Sequence, residues 1–124
     1  MISKKKFGLK GEEIARKYLV SEGYKIEALN WRKSRFEIDI VASKEDALVF
    51  IEVKSARTEV LGPPELRVNK TKQKKIALAA SEYLSELKTI PENLRFDVIS
   101  ILLRPDGPPG ITHIESAYIM DDDF

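Results

Sequence analysis

One strand-like segment, Leu48–Val53, constrains the fold of this chain more than any other part of the sequence. Its residues are apolar at every position except Glu52, so both faces of the strand that it predicts are hydrophobic. Such a strand is stable only when other elements of the fold cover both of its faces. We therefore expect it to lie inside a sheet that has a layer of structure on each side.

The order of the other predicted elements agrees with a layered fold. Helical spacing of apolar residues predicts a first helix over residues 3–22 and a second from Asn69 or Thr71 to about Lys88. The predicted strands cover residues 24–31, 36–42, 48–54, 94–103 and 111–120, and the predicted loops include 43–46, 55–67 and 104–110. This order predicts an α/β fold in which a central mixed sheet is flanked by helices.

Composition narrows the class of function. The 124 residues suffice for a single domain, which we place at 1–120, followed by the acidic C-terminal tail 121–124. The chain has no cysteine and one histidine, which excludes thiol chemistry, disulfides and sites with several histidine ligands. Its 21 Lys+Arg and 20 Asp+Glu give a net charge of +1. Because no apolar run approaches the roughly 20 residues that span a bilayer, we expect a soluble cytoplasmic protein with no membrane partner.

The hairpin of the second and third predicted strands holds the most informative polar residues. Glu37 and Asp39 share one face of the first strand, and Glu52 and Lys54 share one face of the second. If the apolar residues of both strands lie on the same side, the numbers of paired residues must sum to an odd value. A sum of 91 leaves a four-residue loop at 44–47. It places Asp39 opposite Glu52, and Glu37 opposite Lys54.

Two carboxylates in this position repel each other, and a bound divalent cation turns the repulsion into attraction. Asp39 and Glu52 therefore predict a Mg²⁺ or Mn²⁺ site, since such ions take one or two carboxylates together with waters and phosphate oxygens. Lys54 could orient or deprotonate an attacking water, or offset charge on a pentavalent phosphate. These groups are suited to hydrolysing a phosphodiester. The alternative is a solvated sheet face, although charges at the end of a buried strand are costly unless paired or coordinated.

Several short motifs resemble those of the YraN family. They extend over about residues 7–100 and comprise Gly8-x-x-Gly11-Glu12, Asn30-x-Arg32, Glu37-Ile38-Asp39, Val49-Phe50-Ile51-Glu52-Val53-Lys54, Lys72-Gln73 and Arg95-Phe96-Asp97-Val98. The resemblance implies membership of the PD-(D/E)XK nuclease superfamily, close to the archaeal Holliday-junction resolvases. It implies a restriction-endonuclease-like αβββαββ core, and a homodimer by analogy with those resolvases.

The resemblance also implies roles for four residues. Asp39 matches the metal-binding Asp of the superfamily, Glu52 and Lys54 match its (D/E)-x-K pair, and Glu12 matches the acidic residue of the first helix. The implied catalytic residues are thus Lys54, Glu52, Asp39 and Glu12, and the last three would hold Mg²⁺ or Mn²⁺.

The sequence departs from the family pattern at two positions. Phe36 stands where the family usually has glycine before Glu-Ile-Asp, and Ala56 stands where relatives often have arginine. Neither change removes a metal ligand. Both bear on how a substrate fits, because Phe36 could narrow a groove that glycine leaves open.

Helical periodicity agrees with a role for Glu12, which lies at the edge of the apolar stripe of the first helix. The alternative is a carboxylate that is favoured only by the helix dipole. Gln73 faces inward on the second helix, where it either contacts the site or is a partly buried amide.

Basic residues around the site are expected to contact nucleic acid. Lysines at the start of the second helix are disfavoured by the helix dipole, and anionic phosphate would relieve this, although solvated lysines are the alternative. With Gln73, the predicted contact set is Arg32, Lys33, Arg35, Arg57, Lys70, Lys72, Lys74 and Lys75, and residues 4–6 and Arg67 extend it.

Taken together, the residues and the resemblance predict a metal-dependent endonuclease that hydrolyses DNA phosphodiester bonds, in structured or branched DNA among others. Two alternatives are a non-catalytic nucleic-acid-binding module with the same fold and a protein-interaction domain. The intact set Glu12, Asp39, Glu52 and Lys54 favours catalysis, because a degraded nuclease typically loses the lysine or an acid.

Overall fold

The computed structural model describes residues 4–57 and 69–119, with the backbone alone at positions 4 and 5. Its elements are α1 (Lys4–Ser21), β1 (Lys25–Arg32), β2 (Glu37–Lys44), β3 (Ala47–Ala56), α2 (Lys70–Ser85), β4 (Asn93–Leu102) and β5 (Gly110–Ile114). This is the predicted αβββαββ order. Most of the predicted loop at 55–67, Arg67 and the acidic tail lie outside the described residues. Neither described helix has the length and apolar character that crossing a membrane requires.

The five strands form one mixed sheet in the order β1-β2-β3-β4-β5. The pairs β1–β2, β2–β3 and β4–β5 are antiparallel, and β3–β4 is parallel. Parallel neighbours need a long crossover, and the segment that contains α2 supplies it. The predicted α/β class with a restriction-endonuclease-like core is confirmed, and β3 lies in the centre as expected.

A helix layer covers each face of the sheet, so β3 is buried from both sides. The α1 layer contains Ala15, Leu19, Ile40, Val49, Ile51, Ile99 and Ile101. The α2 layer contains Ile38, Val41, Leu48, Phe50, Ile76, Ala80, Phe96 and Val98. Removing each large apolar side chain from water contributes about 1.5–3 kcal/mol, so these two layers hold the sheet and helices together.

Both helix ends have local causes in the sequence. α1 ends at Ser21 because Gly23 adopts a φ of 91°, which lets the Tyr24 amide donate to the Leu19 carbonyl at 2.9 Å. α2 begins after Asn69, whose side chain accepts a hydrogen bond from the Lys72 amide at 2.9 Å. Of the two predicted caps, Asn69 is therefore the one used.

The predicted register of the β2–β3 hairpin is confirmed, but its predicted loop is too long. Pairs run from Lys44↔Ala47 to Ile40↔Ile51, each summing to 91. The turn is only Glu45 and Asp46, and Glu45 has the positive φ of 56° that tight hairpin turns favour.

Two other strand predictions are wrong. Neither Asp39 and Glu52 nor Glu37 and Lys54 form a ladder pair, because the β2–β3 ladder ends at Ile40↔Ile51. Glu37 pairs with Arg32 of β1 instead. β5 ends at Ile114 rather than near residue 120, since the chain turns at Glu115 and Ser116. The turn lets the Ser116 amide donate to the Asp97 carboxylate at 3.0 Å.

α1 approaches β3 most closely at Gly11. A Cβ built on Gly11 would lie 1.8 Å from Ser55 Oγ and 3.0 Å from Ser55 Cβ, so the position has no room for a larger side chain. This contact fixes the start of α1 against the end of β3 and brings the next residue, Glu12, toward that end of the sheet.

We expect Gly11→Ala to lower the free energy of unfolding by about 1–3 kcal/mol, because the added methyl overpacks the contact with Ser55. Gly8→Ala is the matched control in the same helix, because its Cβ would meet nothing within 4 Å. That control should raise the free energy of unfolding by up to about 1 kcal/mol through helix propensity. Urea denaturation of the two variants measures the difference. Equal stability of both variants would contradict the close contact.

Candidate active site

A cavity of about 660 Å³ lies at the end of the sheet where β2 and β3 separate. Four elements supply its polar walls: α1, β2, β3 and α2, together with the turn before β2. The charged residues that line it are Glu12, Arg35, Glu37, Asp39, Glu52, Lys72 and Lys75. The structure thus brings the three predicted acidic residues to one place.

The side chains of β2 stop alternating strictly between the two faces of the sheet where β2 leaves β3. Asp39, at this point, lines the cavity. Strict alternation predicts Ile38 and Ile40 on the same face, but Ile38 packs in the α2 layer and Ile40 in the α1 layer. The Asp39 Oδ2 atom accepts a hydrogen bond from the Val53 amide at 2.8 Å. This bond replaces the missing ladder pair and holds the Asp39 carboxyl beside Glu52.

Asp39 and Glu52 both line the cavity, Asp39 half-buried and Glu52 buried. Burial first, and the neighbouring charge of Glu52 second, raise the pKa of Asp39 to about 8. In the protein without a metal ion, a proton therefore neutralises part of the charge that these two groups would otherwise carry.

Two lysines contact Glu52, which is only 6% exposed. Lys72 Nζ lies 2.5 Å from Glu52 Oε1, and Lys54 Nζ lies 3.5 Å from the same oxygen. Burial lowers the pKa of Lys54, although the charge of Glu52 opposes this effect. Burial also acts to lower the pKa of Lys72, but its hydrogen bond and charge interaction with Glu52 outweigh it and raise the pKa.

Glu12 reaches the cavity from α1, on the opposite side of the sheet from α2. Burial raises the pKa of Glu12, a hydrogen bond with Asn30 opposes this, and the charges of Glu37 and Glu52 add to the rise. Within residues 4–57 and 69–119, Glu12 does not complete a set of three ligand atoms within 4.8 Å of one another with Asp39 and Glu52. Asp39 and Glu52 are therefore the direct carboxyl pair, and Glu12 forms the wall beside it.

The donor set of the cavity fits Mg²⁺ or Mn²⁺. Such ions take oxygen ligands from one or two carboxylates and keep waters or phosphate oxygens in their other positions. Asp39 and Glu52 supply the carboxylates, and the cavity leaves space for the remaining ligands. The raised pKa of Asp39 indicates that positive charge is favourable at this point.

The predicted nucleic-acid contacts divide into those at the cavity and those elsewhere. Arg35, Lys72 and Lys75 line the cavity. Lys70 and Lys74 are exposed on the first two turns of α2 but do not line the cavity.

The other members of the predicted set lie away from the cavity walls. Lys33 forms an ion pair with Glu86 at 3.1 Å, at the far end of α2. Arg32 donates to the backbone of the following turn, and Arg57 lies over the Phe7 ring at 5.0 Å. Gln73 is half-buried and does not line the cavity. Each of these interactions is local, and they do not place the residues on one surface with the basic residues of the cavity.

A second group of polar side chains lies on the α1 face of β4 and β5. Asp97, His113 and Glu115 present ligand atoms within 4.8 Å of one another, a spacing that could hold a metal ion. Asp97 is fully buried and hydrogen-bonded. His113 of β5 contacts it, with Nε2 2.7 Å from Asp97 Oδ2, and its Nδ1 lies 2.9 Å from the Tyr18 hydroxyl.

Arg95 already supplies the positive charge in this second group. Its Nε lies 3.0 Å from Asp97 Oδ1, its Nη2 lies 2.9 Å from Asp97 Oδ2, and the same Nη2 lies 3.2 Å from Glu115. Burial alone would raise the pKa of Asp97, but hydrogen bonds from His113 and Arg95 lower it. The group is therefore a satisfied polar cluster that joins α1, β1, β4 and β5. In the sequence, this cluster is indicated by Arg95 and Asp97, which alternate with apolar residues along one strand.

One buried donor near the site has no partner among the described residues. The Tyr118 hydroxyl is buried without a hydrogen bond, and its ring stacks on Phe96 at 5.3 Å. Burial first, then the charges of Glu52 and Asp97, raise the pKa of Tyr118. The phenol thus lies within electrostatic range of the carboxyl pair.

The fold and the site define a class: an α/β protein with a restriction-endonuclease-like core and a carboxylate–lysine site at the end of its central strand. The sequence profile described as "Uncharacterised protein family UPF0102" matches residues 11–101. The chain therefore belongs to the UPF0102 family, which is the YraN family predicted from its motifs.

Similar proteins occur in several bacteria. A UPF0102 protein of Pelobacter propionicus is 44% identical over 113 residues, covering 90% of this chain and 81% of the relative. One from Porphyromonas gingivalis strain ATCC 33277 is 45% identical over 112 residues, covering 90% and 82%. The UPF0102 protein CT2262 of Chlorobaculum tepidum is 42% identical over 120 residues and covers 93% of both chains.

We expect the stability gained by Asp39→Asn to grow with pH in metal-free protein. The pKa of Asp39 is raised to about 8 in the folded state, above the value of about 4 for an unfolded chain. Proton binding by Asp39 therefore favours folding at low pH, and this contribution is lost as pH rises through the folded pKa. The stability difference between variant and wild type should increase by at least about 1 kcal/mol from pH 5 to pH 8.

Urea denaturation in EDTA at the two pH values measures this difference. Glu45→Gln, in the exposed turn at the other end of the hairpin, is the control and should show no such increase. A stability difference for Asp39→Asn that stays constant with pH would show that the pKa of Asp39 is not raised in the folded protein.

We expect Tyr118→Phe to raise the free energy of unfolding by about 1 kcal/mol, because it removes a buried hydroxyl that has no partner. Tyr24→Phe is the matched control, since the Tyr24 hydroxyl accepts from Arg95 and donates to Glu115. That substitution should lower the stability instead. Thermal denaturation of both variants tests the pair, and a loss of stability in Tyr118→Phe would mean that its hydroxyl has a partner in solution.

Proposed function

We propose that this protein is a metal-dependent endonuclease that hydrolyses phosphodiester bonds in DNA, structured or branched DNA included. The observation that carries the proposal is the meeting of the Asp39 and Glu52 carboxyl groups at the end of two adjacent strands. Lys54 and Lys72 both contact Glu52, and Lys72 also lines the cavity, whereas Lys54 does not. The likeness of these residues to the (D/E)-x-K motif supports the same conclusion.

Asp39 and Glu52 would hold Mg²⁺ or Mn²⁺ in this proposal, in place of the proton that Asp39 binds in the metal-free protein. When bound, the ion would supply positive charge that acidifies a coordinated water and offsets charge on the phosphate. Glu12 lies on the cavity wall, where its carboxylate can accept a hydrogen bond from a water molecule at the site. The Val53 amide keeps the Asp39 carboxyl oriented toward the ion.

Lys54 has the properties needed to act on the attacking water or on the phosphate. In the hydrolysis, a water oxygen adds to phosphorus, one ester P–O bond breaks, and the leaving oxygen takes up a proton. Because burial lowers the pKa of Lys54, its ammonium group loses a proton more readily than that of an exposed lysine. As a cation, it would stabilise the extra negative charge that develops on the phosphate oxygens.

The basic residues at the cavity support DNA as the substrate. They are Arg35, Lys72 and Lys75. Such charges bind phosphates without regard to base sequence. Phe36 also lines the cavity, with the Arg35 guanidinium 5.5 Å from its ring centre. The Phe36 side chain would narrow the space that a DNA strand can occupy there. The homodimer implied by the resemblance stays a prediction.

A cleavage assay on linear, single-stranded, flapped and four-way DNA tests the proposal. With Mg²⁺ or Mn²⁺ the wild type should cut at least one substrate, and with EDTA it should cut none. Asp39→Asn and Glu52→Gln should each reduce the rate at least about a hundredfold, because neither neutral amide holds the ion as the carboxylate does. Lys54→Met should also lose cleavage while it still binds Mn²⁺. Glu45→Gln is the control that should keep the wild-type rate.

DNA binding separates the alternatives if cleavage fails. In EDTA, Asp39→Asn and Glu52→Gln should bind DNA at least as tightly as the wild type, since fewer carboxylates then repel phosphate. A wild type that binds DNA and Mn²⁺ but cuts nothing would contradict the nuclease and favour the non-catalytic module. A wild type that binds neither would favour the protein-interaction domain.

A further inference from the structure

Lys72 has the shortest contact to the carboxyl pair. Its Nζ lies 2.5 Å from Glu52 Oε1, compared with 3.5 Å for Lys54. The two lysines reach the same oxygen from different elements, Lys54 from β3 and Lys72 from the first turn of α2. Two ammonium groups thus already offset the negative charge of Glu52 in the protein without a metal ion.

Lys72 is free to move in a way that Lys54 is not. Its side chain is 43% exposed, whereas that of Lys54 is 21% exposed. The Lys72 amide is fixed by the Asn69 cap, so its backbone stays in place while the flexible four-carbon stem can change direction. Moving the ammonium group away from Glu52 requires no change in the fold.

A divalent cation on the carboxyl pair is incompatible with Lys72 in its present position. An ion bound to Glu52 Oε1 would lie within a few ångströms of the Lys72 ammonium group, and like charges at that distance repel strongly at a site with little water. The same cavity is lined by Arg35 and Lys75, two positive groups that can contact an anionic ligand beside the carboxyl pair. A phosphate group there offers the displaced ammonium group a new partner.

We propose that Lys72 takes the place of the divalent cation at Glu52 in the metal-free protein and moves onto a substrate phosphate when the cation binds. This inference rests on the proposed function and deepens it, because it gives one side chain two alternative anionic partners. It makes the cation and Lys72 competitors for one oxygen atom. It also couples the two ligands, since a phosphate that draws Lys72 away from Glu52 makes the carboxyl pair easier for the cation to reach.

The first test is Mn²⁺ affinity without DNA, measured by calorimetry on wild type, Lys72→Met and Lys75→Met. Methionine keeps much of the length of the lysine side chain and removes the charge. Lys72→Met should bind Mn²⁺ about tenfold more tightly than wild type, the effect of removing a competitor worth about 1.4 kcal/mol. Lys75→Met is the matched control, because Lys75 lines the same cavity and forms no ion pair with Glu52 among the described residues.

The control separates direct competition from general electrostatics. Lys75→Met should change the Mn²⁺ affinity less than about threefold, since it alters only the surrounding potential. Lys72→Arg, which keeps the positive charge, should bind Mn²⁺ no more tightly than wild type. An affinity for Lys72→Met that equals that of wild type, or that Lys75→Met matches, would overturn the proposal. A cooperative thermal transition of Lys72→Met in EDTA confirms that the variant is folded.

The second test measures whether Lys72 speeds cleavage by contacting the substrate phosphate. Lys72→Met at saturating Mn²⁺ should cut the wild-type substrate at least about tenfold more slowly, in spite of its tighter metal binding. Tighter Mn²⁺ binding without any slowing would overturn the second half of the proposal. If Lys72→Met binds Mn²⁺ more tightly but even the wild type cuts no DNA, the competition at Glu52 stands and the nuclease function fails. If neither protein binds Mn²⁺, both proposals fail.

Discussion

The burial of β3 on both faces is the constraint on which the rest of this structure depends. Leu48, Val49, Phe50 and Ile51 are at most 5% exposed, which requires α1 on one face and α2 on the other. The two layers end where β2 and β3 separate. Glu52 follows immediately, so a carboxylate is held at the margin of the core, where it is nearly buried and yet faces a cavity.

A carboxylate in this position needs a positive partner, and the site offers several. Glu52 contacts Lys54 and Lys72, and the raised pKa of the neighbouring Asp39 lets that residue bind a proton. Burying charge is unfavourable unless it is compensated, so each of these interactions stabilises the metal-free state. In the proposed function, a divalent cation is a further solution to the same electrostatic problem and would replace the proton on Asp39 and the Lys72 ammonium group.

The partners of Asp97 differ from those of Glu52, and the difference supports Glu52 as the site of the proposed hydrolysis. Asp97 is fully buried and receives hydrogen bonds from Arg95, His113 and the Ser116 amide. Its partners are rigid, and the Arg95 guanidinium binds it through two nitrogens. At Glu52 the partners are flexible lysines, and the site opens to solvent. Exchange of ligands is therefore possible at Glu52, and Asp97 serves to join elements of the fold.

The sequence by itself determined the layers of the fold and the register of the hairpin. Apolar alternation allowed one parity of pairing, and the pairs from Lys44↔Ala47 to Ile40↔Ile51 follow it. The sequence also predicted Asp39, Glu52 and Lys54 as site residues, because charges at the end of an apolar strand are unusual. Only the tertiary structure decided which distant residues join them. Lys72 and His113 lie on elements whose positions depend on packing across the sheet, and local periodicity contains no information about such contacts.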